Sequence, residues 1–520
     1  MRATSIGHAG ILIDTVGGSI LCDPWFEPAF FGSWFPFPRN DRLSPGLLAR
    51  IEHPTYLYIS HLHGDHLDEA WLSRHVSRGT TVLLPEYPTR ELERKLRSFG
   101  FTEFVHTHDG EETRLTAELM VAIHVETSIT DGPGGDSALV VDDGTAVLVN
   151  QNDCRTSDLG ALRAHGRVDL HWLQYSGAIW YPMVYDEPPE RMRELVDAKV
   201  NSQLTRAMRY VEAIDSRAVV PSAGPPVFLD PDLFHLNMIT GDELSIFPDQ
   251  RIFLAQLAAA GRQGVLAVPG TEITVAGGDV TVVHPMPDAE VQAVFTGKAA
   301  YLAAYQADYL PSLATMHERW HAPTPDLLIT LRAWWEPLLA AAPTLCDSVG
   351  AVCVLHAGDL AVAIDFPKRE VREWAGEEHE FRFTIQRDLV ETVVAARAVD
   401  WSNALFLSCR FSAWRSGPFN EYLYNFFKSL SGERIRRAEA EAKRRLDPEQ
   451  HGIAALEFRL GDYLVERTCP HRHADLTVFG EIDGGELVCT LHGWRFDLET
   501  GRCLTAQDRM LRVRRAPAAD

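Results

Sequence analysis

Two groups of residues in this 520-residue chain have the types and spacing that metal chemistry requires. Near the end, Cys469-Pro-His471 and Cys489-Thr-Leu-His492 form the pattern C-x-H-x17-C-x2-H. Each segment offers one thiolate and one imidazole. Two loops of this kind can hold a pair of irons, one through sulfur and one through nitrogen, and such a centre passes single electrons. Zinc also accepts two cysteines and two histidines, but zinc fingers group like ligands together, whereas each loop here mixes them. Near the start, Tyr56-Leu-Tyr-Ile-Ser60 reads as a buried strand running into His61-Leu-His63-Gly-Asp65-His66. Four ligand-capable side chains within six positions at a strand end make a second metal group of a different kind. His61 and His63 can grip one ion while Asp65 and His66 face a neighbouring position.

The elements that must position these groups follow from periodicity. From Ala3 to about Ser176, short β-branched runs such as Gly10–Asp14, Ser19–Cys22, Thr81–Leu84, Leu119–Ile123, Ala138–Val141 and Ala146–Val149 alternate with turns. Helical stretches at about 67–78 and 89–99 interleave with them, which predicts a layered α/β domain. A longer helix is expected over 188–214, followed by a strand and rigid loop over Val219–Pro226. The stretch 290–345 is helical, strands return at 352–356, 360–366 and 380–385, and an α+β middle domain is expected. The charged helix from Gly432 to Arg445, stopped by Pro448, reads as a solvated connector. The remainder is short, strand-like and turn-rich. The expected division is 1–285, 286–430, a helical linker 431–451, and a small all-β domain 452–520.

Composition narrows the partners. A hydrophobic content of 46% fits globular domains, and a formal net charge of −23 argues against nucleic acid or an anionic membrane surface. An anionic small molecule in a local basic pocket stays compatible with it. No signal-like or membrane-spanning stretch is apparent, and the eight cysteines show no disulfide framework beyond the ligand pair. The expectation is a soluble, cytoplasmic protein.

The C-terminal pattern, with Gly493-Trp494 after its last histidine, is similar to that of Rieske [2Fe–2S] proteins. Where respiratory members carry a disulfide between the two loops, this chain has Ala474 and Leu491, so the resemblance is to the ferredoxin and oxygenase type. His473 stands where that type commonly has glycine. The N-terminal ligand loop resembles that of the metallo-β-lactamase superfamily over roughly the first 240 residues, which implies an αββα sandwich. That resemblance implies His124 as the next histidine ligand and Asp153 as a bridging carboxylate. Hydrolytic members add a last histidine after a late strand, and Ser222-Ala223-Gly224 offers none; His171 and His235 are read as structural. His8 and Asp23 are read as orienting loops rather than as ligands.

The pairing of the two domains resembles the CMP-N-acetylneuraminate monooxygenase (hydroxylase) family. Cys22–Trp25, Asn150–Cys154, Tyr175–Pro182, Pro221–Gly224 and Asp400–Arg410 support it. That family carries its Rieske domain first, and this chain carries it last. The resemblance implies an oxygenase: the cluster on Cys469, His471, Cys489 and His492 feeds electrons to non-haem iron, mononuclear or dinuclear, held by His61, His63, His124 and Asp153 with Asp65 and His66 adjacent. The implied partners are O2, a polar small-molecule substrate, and an external reductase, ferredoxin or cytochrome. Assembly into identical copies is compatible with electron delivery between chains. Zinc in the N-terminal group would instead make a lactonase or phosphodiesterase with the Rieske domain as a redox sensor. A third reading is an electron-transfer or scaffold protein with an inactive metal group.

Overall fold

Alternation along the first strands determines how the N-terminal unit is layered. In a computed structural model, which describes residues 1–127, 134–177, 179–321, 323–446, 456–506 and 509–516, Ile11 and Ile13 face one side of their strand and Leu12 the other. Contacts divide the chain into two units, Met1–Ile179 with Arg193–Leu313, and Trp180–Met192 with Ala314–Asp520.

In the first unit, strands β1 (Arg2–Gly7), β2 (Gly10–Thr15), β3 (Gly18–Cys22), β4 (Tyr56–Tyr58), β5 (Thr81–Leu84) and β6 (Phe104–His106) belong to one sheet. A second sheet takes β7 (Glu112–Arg114), β8 (Met120–Glu126), β9 (Asp136–Asp142), β10 (Val147–Asn152), β11 (Leu170–Gln174) and β12 (Ala218–Ser222). Strands β13 (Glu272–Ala276) and β14 (Asp279–Val283) complete the first sheet, whose order is β14-β13-β1-β2-β3-β4-β5-β6; the second runs β12-β11-β10-β9-β8-β7. Ile11, Ile13, Ile20 and Tyr58 from one sheet meet Val121, Ile123, Leu139, Val141 and Leu148 from the other in a shared core. On the outer face of the first sheet, Leu12, Leu21, Leu57 and Val82 pack against Leu47, Ile51, Trp71, Leu92 and Leu96 of three helices. Helix Gln250–Ala259 packs on β12. This is the αββα sandwich of the metallo-β-lactamase fold, and burial of alternate residues on both faces explains the near-continuous apolar strands.

Strands β3, β4, β5 and β6 run parallel, as do β10, β11 and β12. Their carboxyl ends therefore come to one edge, where ligand-bearing loops gather in open α/β sheets. His8, Asp23, Asn152 and Ala223 in these loops all have positive φ, between 40° and 52°. Four non-glycine residues in the left-handed region within one loop cluster mark a place where side-chain position outweighs backbone ease.

The second unit holds β15 (Val352–Ala357), β16 (Leu360–Asp365), β17 (Glu370–Glu373), β18 (Phe381–Ile385) and β19 (Phe411–Arg415) in the order β17-β16-β15-β18-β19. Its core is aromatic: Trp335 meets Trp401 with ring centroids 5.1 Å apart, and Phe383, Phe406 and Phe427 pack together. Trp180 and Tyr185 belong to this core, Trp180 against Phe406 and Phe411 and Tyr185 bonded to Tyr424. Tyr175 is buried in the first unit, its hydroxyl donating to the Pro248 carbonyl at 2.9 Å. These aromatics fill cores rather than line a binding surface.

Two differences from the sequence reading concern helices. Helix Gly432–Leu446 is no solvated connector: Ile435, Ala438 and Ala442 are buried, and Glu439 accepts the Leu345 amide at 3.0 Å, capping helix Pro343–Val349. Its charges lie on one side of an amphipathic repeat whose other side is packed. Pro448, expected to end it, lies outside the described residues. In addition, helix Lys298–His317 places Leu302 and Tyr305 against Phe35 and Phe37 of the first unit instead of opening the middle domain.

The last segment forms two three-stranded sheets. One contains β20 (Glu457–Leu460), β21 (Tyr463–Glu466) and, from the chain end, Val513–Arg515; the other contains β22 (Gly480–Asp483), β23 (Glu486–Cys489) and β24 (Trp494–Asp497).

Candidate metal and cluster sites

The N-terminal group is built at the end of β4. Ser60 is tied to the loop after β3: its amide donates to Asp23 Oδ1 and its hydroxyl to Asp23 Oδ2, both at 2.7 Å. Asp23 Oδ2 also faces His66 Nδ1 at 3.0 Å, and Asp136 Oδ1 faces His61 Nδ1 at 3.3 Å. Carboxylates accepting at Nδ1 fix the tautomer that leaves Nε2 with its lone pair, the arrangement a metal-binding imidazole needs. His61 Nε2 lies 2.8 Å from His63 Nδ1, and His66 Nε2 lies 3.5 Å from Asp153 Oδ1.

His61, His66 and Asp153 offer donor atoms within 4.8 Å of one another, and so do His8, Asp65 and His66. The buried His66 Nε2, Asp65 Oδ1 and Asp153 Oδ1 have no hydrogen-bond partner. Orphaned buried donors and acceptors are costly. Their convergence here fits a cation; His66 lies in reach of both groups, and its one free nitrogen, Nε2, can serve a single ion. Burial opposes the charged imidazolium at His61 and His66, yet Asp136 at the first and Asp153 with Asp65 at the second raise both above the ordinary imidazole range, so a cation bound there takes the place of a proton. Burial pushes His63 down to about 3, with His61 adding repulsion, so this imidazole stays neutral. Burial alone would raise Asp65, yet His66 and the hydrogen bond from His8 hold it below the usual carboxylate range.

His124 is a correction. On β8, Val121 and Ile123 point into the core between the sheets, so His124 projects from the opposite face. Its Nε2 lies 3.2 Å from His165 Nε2, and burial together with His165 lowers its pKa. Replacing it, His124→Ala, is expected to leave the non-cluster metal content unchanged by elemental analysis. His171 bonds Gln151 at 2.9 Å and His235 is exposed, so neither joins the group. The residues that sequence reasoning left without a direct part are Asp136, which nothing in the sequence marks, and His8, whose contact with Asp65 depends on the fold. Asp23→Asn should weaken metal retention by ~10–100-fold, the range for outer-shell partners of ligand histidines, in a chelator competition.

Past Asp153 the loop carries Arg155, and helix Pro189–Ile214 presents Lys199, Gln203 and Arg206 at helical spacing. Burial, with Arg155 and Arg206 adding repulsion, brings Lys199 down to about 7. Buried Gln203 has neither amide atom hydrogen-bonded.

In the second unit, Cys469, His471, Cys489 and His492 come together on two loops. The His471 and His492 rings are 4.9 Å apart and nearly perpendicular, and Trp494 stacks on His471 at 3.9 Å. The Cys469 and Cys489 thiols reach each other. Backbone amides of His471 and Arg472 point at the first sulfur, and those of Leu491 and His492 at the second. The bond from Cys469 lowers the Cys489 pKa, favouring thiolate there. His471 Nδ1 is buried without a hydrogen-bond partner, while Nε2 faces Glu421 Oε1 at 3.6 Å. The residues thus fit two irons held by two sulfurs and two imidazoles. Glu421 is buried near His471 and Arg445, the latter 2.6 Å away, and the Arg445 guanidinium foremost holds its carboxyl well below the usual range against the opposing pull of burial. His473 has φ +56°, the backbone that explains why glycine is common there.

Fold and site thus define a metallo-β-lactamase-fold domain carried in one chain with a Rieske [2Fe–2S] domain. Residues 458–514 match the Rieske [2Fe-2S] domain, and 327–444 match the Rv3818-like, SCP2-like domain. The chain belongs to the family of Rv3818 of Mycobacterium tuberculosis strain H37Rv, a protein carrying the name of a Rieske 2Fe-2S iron-sulfur protein: the two are 44% identical over 524 residues, 99% of this chain and all of that one. A shorter likeness, 54% over 41 residues, covers 8% of this chain and 11% of the 4beta-methylsterol monooxygenase of Methylococcus capsulatus. The diiron beta-hydroxylase CmlA of Streptomyces venezuelae is similar at 16% identity and a TM-score of 0.34, over 53% of this chain and 54% of that one. No helix among the described residues is long and apolar enough to cross a membrane.

Proposed function

We propose that the protein is a cytoplasmic, Rieske-dependent non-haem iron oxygenase, as the sialic-acid hydroxylase resemblance implies. It hydroxylates or N-oxygenates a polar small molecule. The observation that carries the reading is the presence, in one chain, of both a full Rieske ligand set and a buried histidine–carboxylate group with unpartnered donor atoms. A hydrolytic metal site needs no electron supply. The Rieske cluster supplies single electrons, and iron in the mixed histidine and carboxylate group supplies oxygen activation. The overall change balances as substrate C–H or N–H, O2, two electrons and two protons giving the hydroxylated product and water, with an external reductase, ferredoxin or cytochrome providing the electrons.

The chain's own residues have distinct tasks in this reading. His61, His63, His66, Asp65 and Asp153 hold metal, while Asp23, Ser60 and Asp136 fix the imidazoles. Arg155 and Arg206 favour a substrate bearing an anionic group, and an anion beside them would favour the charged form of Lys199. The short likeness to a named monooxygenase supports oxygen chemistry.

The test is metal analysis of anaerobically purified protein with electron paramagnetic resonance, followed by oxygen uptake with a surrogate reductase. About three irons per chain or more, a Rieske signal and reductant-dependent uptake are expected. Zinc alone beside an intact cluster, with substrate cleaved equally well without air or reductant, would sink the proposal in favour of a hydrolase.

A further inference from the structure

We infer that His8 is a metal ligand, closing the ion position that Asp65 and His66 open. This rests on the reading that the N-terminal group holds metal. His8 Nε2 lies 3.0 Å from Asp65 Oδ2, and His66 Nε2 lies 3.9 Å from the same oxygen. Nitrogen and oxygen ligands bound at about 2.0–2.2 Å stand roughly 3–4 Å from one another around an ion, which matches both separations. In the absence of an ion a proton on His8 Nε2 serves the same contact; an ion replaces that proton and takes the lone pair.

The support around His8 is built rather than incidental. The residue occupies the β1–β2 turn at φ +52°, its side chain is 2% exposed, and its ring meets Trp25 edge-on at 4.8 Å. The Ala223 amide donates to the His8 carbonyl at 3.1 Å. That loop after β12 is where hydrolytic relatives of the fold would place a last histidine. In this chain it carries no imidazole and instead holds the backbone of one that arrives from the opposite end of the sequence. In this assignment the position keeps two histidines, His8 and His66, and one carboxylate, Asp65.

The competing role, orientation of Asp65 by hydrogen-bond donation alone, makes a different prediction. In His8→Gln the side-chain amide reaches about as far as imidazole Nε2 and still donates to Asp65, but it is a poor ligand. His8→Asn is a second variant suited to the left-handed backbone. Holoproteins would be purified anaerobically, the cluster quantified by its visible absorption, and remaining metal counted per chain by elemental analysis, with Asp65→Ala alongside. Two non-cluster ions in the wild type, and loss of one in both His8 variants or its ~100-fold weaker retention against chelator, are expected. A folded variant that keeps both ions at wild-type affinity overturns the assignment. So does a wild-type protein with a single non-cluster ion. A wild type with no metal beyond the cluster overturns the metal reading itself, which separates the two failures.

Discussion

His63→Ala protein is expected to keep its Rieske absorption and resonance while losing reductant-dependent oxygen uptake to background. His63 offers a half-buried, neutral imidazole whose Nδ1 lies 2.8 Å from His61 Nε2, and alanine leaves that donor position empty. Loss of an outer-shell partner costs ~10–100-fold in metal affinity, and loss of a ligand should exceed that range. Because His63 lies in the first unit and the cluster ligands in the second, iron per chain should fall only by the non-cluster share. Full oxygen uptake by the variant would show that chemistry does not pass through this group.

The complementary substitution, Cys489→Ser, should remove the cluster and about two irons per chain. Cys489 is fully buried, its pKa is lowered by the bond from Cys469, and amides of Leu491 and His492 point at its sulfur. A serine hydroxyl is a harder, less acidic donor in the same cage, ill suited to a cluster iron. The N-terminal group should retain its metal, so electron input fails while metal content there persists. Persistence of a Rieske signal in this variant would refute the ligand assignment.

How much was legible in advance depended on whether the determining contacts were local. The cluster ligands and the His61–His66 loop are close in sequence, and the structure gathers them as their spacing implies. His124 followed from the place a fold family supplies a histidine, but strand alternation turns it outward towards His165. His8 could be seen as a residue in a turn. Its approach to Asp65 depends on β2, β3 and β4 lying side by side, a long-range fact that no local pattern encodes. Helix Gly432–Leu446 shows the reverse case. The apolar spacing of Ile435, Ala438 and Ala442 was present in the sequence, but the density of charge around it obscured a packed face.

Ala474 and Leu491 sit fully buried in the two ligand-bearing loops, and no disulfide joins the cysteines among the described residues. With no covalent staple between them, those loops are pinned by side-chain packing and by the inorganic core they enclose, so insertion of iron and sulfide becomes part of folding the domain. Dithiothreitol should leave the assembled domain intact, whereas iron starvation during synthesis should yield chains whose C-terminal region is readily cut by proteases.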